Sequence, residues 1–368
     1  MLNTSDMKLE VSQGIPMSLV VDKKENSKEF VKSTLSEIWV TRCPVPTATG
    51  ISLKRGTLVE KFERHGIDVA VLQDARKGLS VHHFDHQLPA LFREGGNVPA
   101  LAARSEGAPS RLIGLTWIDE WQVIIVRPDS AIRQPEDLKN AKVALPEYAD
   151  KRAGSIFRAM SLQGIRGALQ LANLSFRDVD FIEVPERAES KQDRDASAYW
   201  SGLDALITGE VDAVYVKGAS AVEAATKRGL KVGIDLDQFA DVTSRVNNGT
   251  PRPITVHEDL LEHHFDVVVD FLEELFDTAD WAEDHLDEVL VILQDETIAG
   301  AESVATAYRN NFHKSLHPSL SEERLELLKQ QKDFLWLHGF LEKDVDLDTW
   351  VDHRPLLEVL KRRQNKQR

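Results

Sequence analysis

The 368-residue sequence predicts an α/β fold of two lobes, on three observations. Short apolar runs of strand type alternate with stretches of helical spacing. These units form two successive βα series joined by two crossings, the pattern of a clamp with parallel-rich sheets. From His257 onward the spacing turns almost wholly helical, so a helical C-terminal region is expected.

In order, residues 1–32 are polar and weakly periodic and read as an N-terminal extension. Ser36–Val40 is the first strand, followed directly by the loop Thr41-Arg42-Cys43-Pro44-Val45-Pro46. Thr57–His65 has helical apolar spacing and stops at Gly66, and Ile67–Leu72 is a short apolar strand, completing a βαβ unit. Arg111–Thr116 and Trp121–Val126 are strands in succession. A helical start at Pro135-Glu136-Asp137-Leu138 leads to the strand Lys142–Leu145. The second series runs through Val179–Val184, a helix ending near Thr208-Gly209, then Val211–Val216 and Lys231–Asp235. Amphipathic pairs such as Leu260-Leu261, Val267-Val268 and Phe271-Leu272 mark the helices that follow. The division expected is 33–127 with 237–368 as lobe 1 and 128–236 as lobe 2, with ligand in the crevice at the strand carboxyl ends.

Composition narrows the partner. A formal charge of −15 argues against nucleic acid and anionic membrane, since both reward a basic footprint. No apolar run reaches the about 18 residues that span a bilayer. The start lacks the basic flank and apolar core of a signal peptide, and a single cysteine suits a reducing compartment, so a cytoplasmic protein with a small-molecule partner is expected, monomeric or weakly oligomeric. No phosphate loop or dinucleotide fingerprint is present. His263-His264 point to different helix faces, which argues against a metal site.

Cys43 is the only cysteine, and it sits among prolines at the end of a strand-like run. It is either a reactive group or a small buried hydrophobe. Forty residues on, His82-His83-Phe84 and then Arg93-Glu94-Gly95-Gly96 add an imidazole and a fixed cation. Nucleophile, imidazole and guanidinium are the parts of a site for an anionic substrate. The bland alternatives are solvated histidines, with His86 as a second candidate imidazole, an Arg93 that pairs at the surface, and glycines that only turn the chain. Trp117, Trp121 and Trp200 read as pocket lining or as plain core. The charged run Glu183–Asp195 reads as a solvated loop or a lid.

The stretch Trp121–Ile132 with Asp137-Leu138-Lys139 and Val143-Ala144 resembles the hinge and second-lobe entry of sulfonate- and nitrate-type periplasmic binding proteins. Leu206–Val214 is similar to another recurrent piece of that type II fold. Within that superfamily, Cys43-Pro44-Val45-Pro46 together with His83, Arg93, Gly95 and Gly96 resembles the aromatic sulfinate desulfinase family, whose members act on 2'-hydroxybiphenyl-2-sulfinate. The likeness continues through Pro99, Glu106-Gly107, Ala108-Pro109 and Arg111–Thr116.

What the resemblance implies is hydrolysis of a carbon–sulfur bond with release of sulfite and no metal or organic cofactor. It implies Cys43, His83 and Arg93 as catalytic residues, and Gly95 and Gly96 at the anion site. Arginine's planar fork suits the two oxygens of a sulfinate, with the Gly96 amide as a second donor. Thr41 stands where the family has serine, Arg42 where it has an uncharged polar residue, and Ile156 where it has tryptophan, so all three bear on the substrate. Cys43 either protonates the ring carbon or attacks sulfur, and Arg93 with His83 is expected to tune the thiol toward thiolate. Two other functions stand beside this one. They are a solute-binding protein for a sulfonate or other organic anion, and a related cysteine enzyme acting on a different bond.

Overall fold

Ile38 and Val40 point inward along the first strand, while Glu37 between chain start and core stays exposed, the alternation of a half-covered strand. Residues 35–75, 78–150, 152–185, 200, 202–309 and 311–366 are described by the computed structural model. The sequence-predicted extension lies outside the described residues, as does the 186–195 part of the charged run.

Among the described residues ten strands form: β1 (Glu37–Val40), β2 (Asp68–Val71), β3 (Leu91–Glu94), β4 (Ser110–Thr116), β5 (Gln122–Val126), β6 (Lys142–Pro146), β7 (Asp180–Val184), β8 (Val214–Lys217), β9 (Lys231–Asp235) and β10 (Arg252–His257). The helix Thr57–Glu63 ends ahead of Gly66, whose φ of 69° reverses the chain into β2, and β1 and β2 pair in parallel as the predicted βαβ unit. The five-stranded sheet has the order β2-β1-β3-β10-β4. A three-stranded sheet has the order β8-β5-β9, and β6 pairs with β7.

Among the named strands, parallel ladders join β1 to β2 and β3, and β6 to β7. The strands β5 and β10, at which the chain crosses between sheets, run antiparallel to both of their neighbours. The sheets are therefore mixed rather than uniformly parallel. Sequence reading passed over β3 and β10. Gly95-Gly96 closes the first, and Pro251 and Pro253 flank Arg252 in the second, local signals that normally demote a strand. Tertiary pairing outweighs them: the carbonyl of Pro253 accepts the Gly95 amide at 3.1 Å, and a register shift at Ile254/Thr255 absorbs the irregularity.

C-terminal helices cover the first sheet. The helix Phe265–Glu283 buries Val268, Val269, Phe271, Leu272 and Leu275, and Phe271 stacks on Phe92 of β3 at 4.0 Å between ring centroids. Burying each such side chain contributes about 1.5–3 kcal/mol. Among the described residues no helix is long and apolar enough to cross a membrane.

The chain leaves the first sheet after Thr116 and re-enters it at Arg252. Register places Arg252 opposite Thr116, at the carboxyl end of β4, and Ile254 opposite Glu94, at the carboxyl end of β3. In the second sheet, Lys217 at the carboxyl end of β8 lies opposite Gln122 at the start of β5. Strand carboxyl ends from both sheets thus lie next to the crossings, where α/β folds place their ligands.

Candidate active site

Thr41 and Cys43 leave β1 beside the end of β3. The Thr41 amide donates to the Phe92 carbonyl at 3.2 Å, and the Thr41 hydroxyl and the Cys43 thiol both donate to the Glu94 carbonyl, at 3.4 and 3.3 Å. Cys43 is 7% exposed and Thr41 fully buried. The thiol therefore sits on a polar backbone group inside the molecule, not in an aliphatic pocket.

Arg93 is 1% exposed, and β3 holds it with its guanidinium folded back over Gly95. A Cβ on Gly95 would stand 2.8 Å from the guanidinium carbon, so only glycine leaves room. Its Nε donates to the His83 carbonyl at 3.2 Å and its Nη1 to the Gly96 carbonyl at 3.0 Å, while Nη2 is buried without a partner. Gly96 precedes the helix Asn97–Ser105, and a Cβ there would meet Asn248 Oδ1 at 2.2 Å. Asn248 Oδ1 accepts the Val98 amide at 3.0 Å, capping the first turn of that helix.

His83 lies in the short helix His82–Asp85, half-buried, with Nδ1 buried and unpartnered. It meets Arg93 through its carbonyl; its ring packs edge-on to Phe84 at 5.0 Å. His86, the second candidate, is 3% exposed, and burial holds its ring well below the ordinary imidazole range. Arg42 turns away from the thiol: its Nε pairs with Glu296 at 3.3 Å and its Nη1 with Asp74 at 3.6 Å. Ile156 opens the helix Ile156–Leu171 and packs, partly buried, against both large apolar clusters of the molecule.

Five groups at this place escaped the sequence reading. Glu94 is buried and accepts from the Thr49 amide and hydroxyl at 3.1 and 2.7 Å and from the Thr116 hydroxyl at 3.3 Å. Glu120, from the first crossing, pairs through one oxygen with Lys217 at 3.1 Å and with Arg252 at 2.9 Å. Asn248, from the second crossing, accepts from Lys217 on its carbonyl at 2.6 Å. A charge at the end of an apolar strand run, as in Val214-Tyr215-Val216-Lys217, was the available signal for Lys217, and arginine between two prolines the signal for Arg252.

Electrostatics correct the expected tuning of the thiol. Burial pushes the Cys43 thiol up, and this outweighs the lowering by Arg252 and Arg93. Burial, then Arg93, drives His83 down to about 3, so its ring is neutral at ordinary pH and supplies no positive charge to a thiolate. Burial also brings Arg93 down to about 10, against the stabilising influence of Cys43. Glu94 is raised by burial despite its hydrogen bonds from Thr49. The site thus pairs a protonated, hydrogen-bond-donating thiol with buried guanidinium groups. Among the described residues no cluster of His, Cys, Asp or Glu is arranged to hold a metal ion.

No family model matches the chain. The 2'-hydroxybiphenyl-2-sulfinate desulfinase of Rhodococcus erythropolis is 24% identical, over 91% of this chain and 96% of that protein. The crystal structure of the desulfurization enzyme DSZB superposes with a TM-score of 0.71 at 23% identity, covering 89% of this chain and 99% of that one. A cysteine-to-serine variant of DSZB in complex with biphenyl-2-sulfinic acid matches equally, at a TM-score of 0.71 and 22% identity, with the same coverage of 89% and 99%. The sulfonate-binding protein SsuA of Methylobacillus flagellatus KT follows at 0.68 and 14% identity, covering 90% of this chain and 96% of that one. Over nearly its whole length the chain is similar to the 2'-hydroxybiphenyl-2-sulfinate desulfinases, and its fold is the one they share with the periplasmic sulfonate-binding proteins.

Proposed function

We propose that the protein is a cofactor-independent hydrolase that cleaves the carbon–sulfur bond of an aryl sulfinate and releases sulfite. The observation that carries it is the buried Cys43 thiol beside Arg93, in a chain 24% identical to a named desulfinase over nearly its full length. Arg93 holds the sulfinate oxygens with its free Nη2 and, after a small reorientation, the rest of its fork, and the Gly96 amide is the second donor. Gly95 leaves room for the Arg93 guanidinium, and Gly96 for the Asn248 amide. Thr41 fixes the end of the cysteine strand through the carbonyl it shares with the thiol.

Of the two routes, protonation fits the thiol's upward shift. Cys43 gives its proton to the ring carbon bearing sulfur, the carbon–sulfur pair moves to a new carbon–hydrogen bond, and sulfur dioxide leaves. Water adds to sulfur dioxide to give hydrogen sulfite and a proton, which restores the thiol. The sum is sulfinate plus water giving arene plus hydrogen sulfite. The neutral His83 ring positions the substrate or relays that returning proton without adding charge. Ile156, packed between the two apolar clusters, borders the space for the ring, and Arg42 shapes it only through its ion pairs with Asp74 and Glu296. We take the molecule as two lobes divided near residues 127 and 237, acting in the cytoplasm as a monomer or weak oligomer.

The test is sulfite release from benzenesulfinate and 2-phenylbenzenesulfinate, with the arene followed by mass spectrometry. Stoichiometric sulfite and arene support the reading. Tight binding of sulfinates or sulfonates with no sulfite would overturn it in favour of a solute-binding protein, the reading that the sulfonate-binding neighbours favour.

A further inference from the structure

Glu120, Lys217 and Arg252 take no part in the chemistry above, yet they stand against the same anion site. They are 2%, 8% and 3% exposed. One oxygen of Glu120 accepts from both cations, at 3.1 Å from Lys217 and 2.9 Å from Arg252. Lys217 also donates to the carbonyl of Asn248, whose side chain presses on Gly96. The next carboxylate that acts on Lys217, Asp237, is engaged by Arg309 at 3.0 Å. Glu120 and Glu94 are the buried carboxylates that act on Arg252, and they face three cations, Arg93, Arg252 and Lys217, which leaves one positive charge over. That arrangement is costly unless an anion joins it.

Unpartnered donors say where the anion goes. Once Arg93 Nη2 holds the sulfinate, Arg252 Nε and the Tyr308 hydroxyl are still buried with no hydrogen-bond partner among the described residues. The Tyr308 hydroxyl lies 3.9 Å, and Glu120 Oε2 3.3 Å, from the point where a Cβ on Gly218 would sit, so the hydroxyl faces the Glu120 cluster. Each buried donor without an acceptor costs about 1–3 kcal/mol. In the reading above the sulfinate engages Arg93 and the Gly96 amide, which leaves Arg252 Nε and the Tyr308 hydroxyl to be satisfied by a further acceptor. Arg252 and Arg93 both favour the ionised form of the Cys43 thiol, so both guanidinium groups lie within electrostatic reach of it.

We propose that Arg252, anchored by Glu120 and backed by Lys217, is a second oxyanion-binding arm, and that the substrates are aromatic sulfinates carrying a second acidic group such as an ortho carboxylate. The assignment rests on the sulfinate reading of Cys43 and Arg93 and narrows its substrate class.

The experiment has a binding arm and a turnover arm. Calorimetric titration with benzoate and with phthalate, whose first carboxylate stands for the sulfinate, is run on the wild type, Arg252→Gln and Arg252→Lys, each checked for cooperative melting. Phthalate is expected to bind wild type at least about tenfold more tightly than benzoate, as a charge-assisted hydrogen bond allows. Arg252→Gln brings the ratio to about one, and Arg252→Lys restores part of it; a merely structural role would lower both affinities and keep the ratio. No phthalate preference in the wild type, or a preference that survives in Arg252→Gln, overturns the arm. Where Arg252→Gln does not fold, an undiminished ratio in Arg252→Lys overturns it, because lysine lacks the fork. In the turnover arm, sulfite release is compared for benzenesulfinate and 2-carboxybenzenesulfinate. Phthalate preference with no sulfite from either compound sinks the desulfinase reading and leaves the arm standing; sulfite from both at equal kcat/KM sinks the arm alone.

Discussion

At the scale of single residues, burial decides what each group can do. The Cys43 thiol is raised from its ordinary 9.0, so it is an acid rather than a standing nucleophile at neutral pH. Turnover is expected to stay level from pH 7 to about 9 and to fall above that as the thiol ionises, because the protonated form is the active one. An activity that instead rises through pH 8–9 would indicate thiolate attack. Cys43→Ser should cut sulfite release by about 10²–10⁴-fold, the range for losing a general acid, with the melting temperature little changed. Arg93→Lys keeps a charge but loses the fork, and kcat/KM should fall about ten- to hundredfold.

His83 makes a stability prediction with a definite sign. Its folded value of about 3 lies below the ordinary 6.5, so the unfolded chain binds more protons between those values. Its contribution to stability is whole above pH 6.5 and is lost as pH falls toward 3. Urea midpoints of wild type should drop over that window, and His83→Gln should flatten part of the drop.

Among elements, the informative one is the junction of β3 with the helix Asn97–Ser105. Gly96 is glycine because the Asn248 amide occupies the place of its Cβ, and that amide also caps the helix. Gly96→Ala should destabilise the fold by about 1–3 kcal/mol through overpacking and a displaced cap. Adding Asn248→Gly should recover the overpacking part, which a double-mutant cycle in urea measures. Equal costs in the single and double variants would mean that the two residues do not meet. Strands rich in Val and Ile, such as Gln122–Val126 and Lys142–Pro146, were legible because their pattern agrees with their pairing. Leu91–Glu94 and Arg252–His257 were not, because turn-forming neighbours carry the local signal and only the partner strands supply the competing hydrogen bonds.

For the whole molecule, the site lies where two sheets are joined by two crossings, and its thiol and guanidinium groups are almost fully covered. A substrate reaches Cys43 only through an opening motion, so alkylation of the free protein by iodoacetamide at pH 7.5 should run at least about a hundredfold slower than that of a small free thiol, since the group is both protonated and shielded. Saturating phthalate should slow it further. Fast, ligand-insensitive alkylation would contradict the buried placement.

The α/β class and the helical C-terminal region were legible in the sequence alone, which also singled out Cys43, His83 and Arg93 as candidates, because local periodicity and rare residue types are written in neighbouring positions. Tertiary structure decided the rest: the mixed sheets, the neutral His83, the withdrawal of Arg42 into ion pairs, and the meeting of Glu120 with Lys217 and Arg252. Charges and protonation states follow burial and distance between residues far apart in the chain. Lys217 and Glu120 are 97 positions apart, and no local pattern encodes that meeting.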